Sequence, residues 1–168
     1  MIPTDSIVLT VDKEAVRRSG MMLAGDRYYT TDENGDTIVI DSIPDVMHIS
    51  LKGKRNIYKS QLMMLVMLAE ANWERPMYVA MTVGADNYGS LGDNFVQEGL
   101  AYRITPFNTK ASGRLIDTDK MYDNLMNRFK LGGMDVPGLY VDEQLMRMCW
   151  THRRIYGTLA MALAREGD

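Results

Sequence analysis

The sequence predicts an α/β fold: a mixed sheet with a βαβ crossover and packed helices, followed by a C-terminal amphipathic helix. Three observations carry that prediction. Val46 to Val83 reads as strand, helix, strand, with an almost wholly apolar helix between the strands. Asn34-Gly35 lies between two β-rich runs, the pattern of a hairpin. The last 27 residues hold one apolar stripe at helical spacing. The expected organisation is an α/β domain over 1–140 and a helix over 141–168.

Taken in order, Ser6 to Thr10 is a β-rich run, and Asp12 is placed to cap a short helix from Lys13 to Arg18. Tyr28 to Thr31 and Thr37 to Ile40 flank DENGD, and Asn34-Gly35 suits the positive φ values of a type I′ turn. The same five residues lack the alternating ligands and terminal Glu of a calcium loop, so the turn is the better reading. Val46 to Leu51 is a strand in which His48 is expected to be packed or hydrogen-bonded. From Tyr58 to Trp73, Leu62, Leu65, Val66 and Ala69 recur at helical spacing, while Met63, Met64, Met67 and Leu68 make the remaining surface apolar. Such a helix is buried or packs against something further. Asn72 is its expected terminator.

Met77 to Val83 follows as a strand without clean alternation, as when both faces are covered. A βαβ unit would make this strand parallel to Val46 to Leu51, with a right-handed connection. Next come a loop, GADNYGSLG, a short helix near Asp93 to Gln97, and a strand from Ala101 to Thr105. Residues 107–117 are polar and read as a surface excursion, and Asp119 to Lys130 as an amphipathic helix closed by Gly132-Gly133. Asp142 caps the final helix, whose stripe runs through Leu145, Met148, Cys149, His152, Ile155, Tyr156, Leu159 and Leu163.

Composition narrows the function classes. The 168 residues are 46% apolar and 24% charged, ordinary for a globular protein and unlike disordered or collagenous chains. A formal net charge of −3 argues against a general nucleic-acid binder. The longest apolar run, Leu62 to Ala69, is too short to span a bilayer, which takes about 20 residues. The N-terminus lacks the pattern of a signal peptide.

Few residues offer chemistry. With one Cys and two His, any thiol or metal site must use Cys149, His48 or His152. Cys149 and His152 share a helix face, but no second ligand pair accompanies them, and both sit in the apolar stripe. No metal and no cofactor is expected. The loop after Met77 to Val83 has three glycines but no Gly-Lys-Ser/Thr ending, so it is not a phosphate loop. Its Asp86, Asn87, Tyr88 and Asp93, with Ser90, suit a hydroxyl-rich ligand such as a sugar and would repel phosphate. Asn72-Trp73-Glu74-Arg75-Pro76 reads as a helix-to-strand junction. Arg75 is expected to hold the last helical carbonyls, with Pro76 fixing the strand behind it. Asn72, Trp73, Arg75, Tyr78, Tyr102 and Arg103 form either that junction or a partner surface.

Five blocks in order carry a family resemblance: VDKEAV (11–16), QLMMLVMLAEANWERPMYVAMTV (61–83), LGDNFVQEGLAYRITP (91–106), MYDNLMNRFKLGGMDVPGLYVDE (121–143) and MRMCWTHRR (146–154). Together they resemble the soluble C-terminal part of large bacterial membrane proteins related to protein O-mannosyltransferases, glycosyltransferase family 117. The resemblance covers most of the chain, with NWERP and EGLAYRITP its most distinctive blocks. It implies a multi-spanning transferase-like region ahead of this segment, which holds the catalytic acid and the lipid-linked donor, so no catalytic residue is carried onto this chain. It also implies an inner-membrane parent with this part facing the periplasm. The partners implied are the rest of that chain and a glycan or protein acceptor, with no nucleic acid.

Tyr156, Leu159, Ala160, Leu163, Gly167 and Asp168 resemble the first helix of a tetratricopeptide, with the chain stopping where a second helix would begin. In that reading the early stripe near Met148 is covered, and the late stripe frays or drives self-association.

The functional expectation is therefore a non-catalytic accessory domain of a glycosyltransferase-like membrane protein, recognising an acceptor or linking to a helical-repeat tail. Two alternatives accompany it. One is a free-standing sugar-acting enzyme or ligand-binding domain using Gly84 to Asp93, with Asp86, Asp93 and Glu98. The other is a protein-interaction module.

Overall fold

The computed structural model describes residues 6–21, 27–54, 56–133 and 136–167. The chain is an α/β fold with small antiparallel sheets, and it forms two compact units. The first comprises 1–96 with 101–115, the second 97–100 with 116–168, so residues 116–140 group with the C-terminal helix.

In the first unit β1 (Ser6–Thr10) leads to α1 (Lys13–Arg18). The Asp12 carboxylate accepts from the amides of Glu14 and Ala15, as a helix N-cap should. A hairpin follows, β2 (Tyr28–Thr31) and β3 (Thr37–Ile40), paired from Tyr28↔Ile40 to Thr31↔Thr37. Its turn is not type I′. Gly35 takes φ +84 but Asn34 does not have positive φ. The loop is held instead by Asp32, whose carboxylate accepts from the amides of Asn34 and Asp36. An Asx side chain satisfying two turn amides removes the need for a second left-handed residue.

β4 (Val46–Ser50) pairs antiparallel with β1, from Ser6↔Ser50 to Thr10↔Val46. α2 (Lys59–Ala71) then leads to β5 (Tyr78–Ala80), which pairs antiparallel with β7 (Ala101–Ile104); with β6 (Phe95–Gln97) the strand order is β5-β7-β6. β4 and β5 thus lie in separate sheets, and the expected parallel βαβ crossover is absent. The burial pattern explains why. On β4 only Met47 and Ile49 are buried, and on β5 only Val79. Crossover strands are covered on both faces, whereas these alternate, as antiparallel strands with one wet face do.

Two further expectations are corrected. Residues 89–94 form 3₁₀ turns, and Phe95–Gln97 is strand β6, where a short helix over Asp93 to Gln97 was expected. Residues 107–117 are not a surface excursion throughout: Phe107 is fully buried, stacks on Tyr28 at 5.1 Å, and precedes α3 (Thr109–Ser112). Asn108 caps α3 through Ala111 N–H, and Asn94 donates to the Phe107 carbonyl, so the polar residues here serve backbone groups. The core gathers Val16, Met47, Ile49, Leu68, Trp73, Leu91, Ile104 and Phe107 among others.

The second unit holds α4 (Thr118–Asp123), which continues as a π-helical turn through Arg128, and α5 (Glu143–Glu166). Asp117 caps α4, Asp142 caps α5, and Gly167 closes α5 at φ +93. Met121, Leu125, Ile155 and Leu159 are buried, and Tyr156 Oη donates to the Leu125 carbonyl at 2.8 Å. Lys120 Nζ lies 3.1 Å from Glu98 Oε1 and 3.2 Å from Asp117 Oδ2. The covered part of the α5 stripe is accordingly Ile155–Leu159, while Met148 is 57% exposed, the reverse of the sequence expectation. α4 packs on α5, and Leu125 in the following π-helical turn takes the Tyr156 bond.

Candidate functional site

The site residues expected from sequence fall into two places in the first unit. At the end of α2 the backbone turns through two left-handed residues, Asn72 (φ 42) and Trp73 (φ 64), and the Asn72 amide donates to the Ala69 carbonyl. Trp73 is turned inward, 3% exposed, and its indole Nε1 donates to the Thr10 carbonyl at 2.9 Å. Arg103 is buried, donates to the Ser19 carbonyl, and has its guanidinium carbon 5.9 Å from the Tyr78 ring centroid. Tyr102 stacks on Phe95 at 5.7 Å. Asn72, Arg75 and the Tyr78 ring edge remain at the surface. Trp73 therefore ties the end of α2 to β1, Arg103 ties β7 to the end of α1, and Tyr102 packs β7 on Phe95.

The Gly84–Asp93 loop is divided. Tyr88 packs its ring 4.8 Å from Phe95, and Asp93 Oδ1 is held by Lys110 Nζ at 3.0 Å. Asp86 and Asn87 point the other way. They meet the start of α2 in an open groove of about 940 Å³, lined also by Lys54, Asn56, Tyr58, Ser60, Gln61, Gly89 and Ser90. Gln61 builds this groove. Its Oε1 accepts from the Tyr58 amide at 3.3 Å and its Nε2 donates to the Asp86 carbonyl at 2.6 Å, binding the helix start to the loop. Ser90 Oγ donates to the Ser50 carbonyl at 2.7 Å and anchors the other side on β4. Gly89 (φ +54) forms part of the wall with Lys54 Nζ where a Cβ would stand, so any larger residue would displace that amine.

The groove presents one carboxylate (Asp86), one amine (Lys54), hydroxyls (Tyr58, Ser60, Ser90) and amides (Asn56, Gln61, Asn87). Every group is a hydrogen-bond donor or acceptor, and none pairs as nucleophile with base. Lys54, Tyr58 and Gln61 escape sequence reasoning because Tyr58 scores as the first member of an apolar helical stripe. The polar run Lys59-Ser60-Gln61 before that stripe is the signal that would have found them.

A second cleft, of about 470 Å³, lies beside the hairpin and β4, lined by Thr30, Ile38, Ser42, Asp45 and His48 among others. Thr30 Oγ1 and His48 Nδ1 are enclosed and have no hydrogen-bond partner among the described residues. Two of its lining carboxylates are engaged, Asp45 with Lys13 at 2.7 Å and Asp32 with the turn amides, and Glu33 also lines it. Those amides, that of Asp36 foremost, hold the Asp32 carboxyl below the usual carboxylate range. In the second unit His152 Nδ1 lies 2.8 Å from the Met148 carbonyl and its ring meets Phe129 edge-on at 5.9 Å. Among the described residues no three His, Cys, Asp or Glu side chains gather as a metal site requires, and no helix is long and apolar enough to cross a membrane.

The family described as TMEM260-associated domain 2 covers residues 1–122. No curated protein and no solved structure matches the chain.

Proposed function

Because the chain belongs to the TMEM260-associated domain 2 family, we propose that it is an extracytoplasmic accessory domain of a TMEM260-like, glycosyltransferase-like membrane protein. Its own part is to hold a hydroxyl-rich acceptor, not to transform it. The parent sits in the bacterial inner membrane with this domain on the periplasmic side, and it belongs with the relatives of protein O-mannosyltransferases. α5 forms the link toward a helical-repeat tail.

The observation that carries this reading is the groove between Tyr58–Gln61 and Ala85–Ser90. Amides, hydroxyls and a single carboxylate are what a polyhydroxylated ligand needs, and the exposed Tyr58 ring offers a face for the C–H side of a sugar. Turnover of a glycoside normally takes two carboxylates flanking one bond. Asp86 stands in the groove without a second carboxylate, and Asp93 is outside it on Lys110.

The test is calorimetric titration with a panel of oligosaccharides, beside an assay for their cleavage or transfer. Binding that falls at least tenfold in Asp86→Ala/Asn87→Ala, with no turnover, is expected. Turnover lost in Asp86→Asn would replace the accessory reading by an enzyme. Failure of the whole panel to bind would remove the acceptor role.

A further inference from the structure

We propose that the outer face of α2 is a lipid-docking surface, which lays the first unit against an anionic membrane. α2 is apolar on two sides. Its inner side, Leu65 and Leu68, joins the core. On the outer side Leu62 is 51% exposed, Met63 54%, Val66 50% and Met67 57%. These positions, i, i+1, i+4 and i+5, adjoin on a helix surface and make one continuous patch two turns long. Scattered exposed apolar residues are ordinary on a soluble protein, but a cluster of four large ones on one helix face marks an interaction site.

Charge identifies the occupant. Between Asp45 and Glu70 the sequence carries four cations, Lys52, Lys54, Arg55 and Lys59, and no acidic residue, although the whole chain has a net charge of −3. Lys52 and Lys59 are exposed, and Lys59 stands at the head of the patch. An exposed apolar helix face led in by an acid-free basic segment is the combination that partitions into the headgroup region of an anionic bilayer: apolar side chains enter the acyl boundary and lysines meet the lipid phosphates. The long, unbranched Met63 and Met67 side chains adapt to a disordered surface at little cost. Exposed Glu70 closes the far end of the patch, so the lysines meet the lipid phosphates from the Lys59 side.

The experiment is co-sedimentation of the full chain with vesicles of phosphatidylcholine alone and with added phosphatidylglycerol, at low and high salt. The expected result is binding to the anionic vesicles that weakens with salt and on neutral vesicles. Leu62→Gln/Met63→Gln/Met67→Gln should reduce it at least tenfold while leaving circular dichroism and the urea midpoint unchanged, since glutamine keeps helix propensity and these side chains are outside the core. Lys52→Glu and Lys59→Glu should each lower it about fivefold. The proposal is overturned if the wild-type chain stays in the supernatant, or if the glutamine variant sediments as well as wild type. It is equally overturned if analytical ultracentrifugation shows a dimer that the glutamine variant abolishes, which would make a second copy the occupant. The glutamine variant should retain oligosaccharide affinity and Asp86→Ala should retain vesicle binding, so this proposal and the acceptor groove fail separately.

Discussion

Trp73→Phe separates a folding junction from a docking surface at the NWERP block. The indole is 3% exposed, and its Nε1 donates to the Thr10 carbonyl on β1 at 2.9 Å. Phenylalanine keeps most of the ring burial but has no donor. An unpaired, partly buried carbonyl costs about 1–2 kcal/mol, and the smaller ring leaves a void worth roughly another 1 kcal/mol. The expected loss is about 2–3 kcal/mol, or some 5–10 °C in Tm by the usual scaling of ~2–4 °C per kcal/mol at this size. Trp73→Ala should cost about 3–5 kcal/mol. Urea unfolding followed by far-UV circular dichroism measures both, and hydrogen exchange should locate the weakening at the amides of Ser6–Thr10. A loss below about 0.5 kcal/mol for Trp73→Phe would refute the reasoning and return Trp73 to a partner surface.

Leu68→Ala should cost about 2–5 kcal/mol in urea unfolding, whereas Met67→Ala, one position earlier but facing out, should stay within about 0.5 kcal/mol; equal costs would mean that α2 is turned differently. Tyr156→Phe removes the donor to the Leu125 carbonyl and should lower the stability of the second unit by about 1 kcal/mol, read by hydrogen exchange of α5 through Leu159. Rapid exchange from Ile155 onward in the wild-type chain would contradict the buried placement of Ile155 and Leu159. For Asp32 the folded carboxyl is depressed chiefly by the Asp36 amide. A depressed folded value means stabilisation present above the unfolded value of roughly 4 and lost as pH falls through the lower folded value. A carbon-13 titration of the Asp32 carboxyl should show a midpoint below that of an unperturbed aspartate, and a midpoint at or above it would break the turn assignment.

The parts legible in the sequence were those governed by local chemistry. Asp12, Asn72 and Asp142 mark helix ends because a short polar side chain, or a left-handed residue, serves backbone groups a few positions away. The strand partners were not local. Val46–Ser50 looks equally fit for a parallel crossover or an antiparallel ladder, and only its pairing with Ser6–Thr10, forty residues back, decides between them. The hairpin was legible but its turn was not, because Asp32 replaces the second positive φ that Asn34-Gly35 suggested. Phe107 was hidden by the polar residues after it, of which Asn108 and Thr109 bond backbone groups. At the groove, Asp86 and Asn87 stood out as loop residues; Gln61, twenty-five positions earlier, joined them only through its bond to the Asp86 carbonyl.

The most direct measurement is a nuclear magnetic resonance titration of the isotope-labelled chain with the tightest oligosaccharide from the panel. Amide shifts should concentrate at Lys54, Ser60, Gln61, Asp86, Asn87 and Ser90, saturate with one ligand, and vanish in Asp86→Ala/Asn87→Ala. Shifts centred instead on Thr30, Ser42 and His48, or none at saturating ligand, would contradict the account.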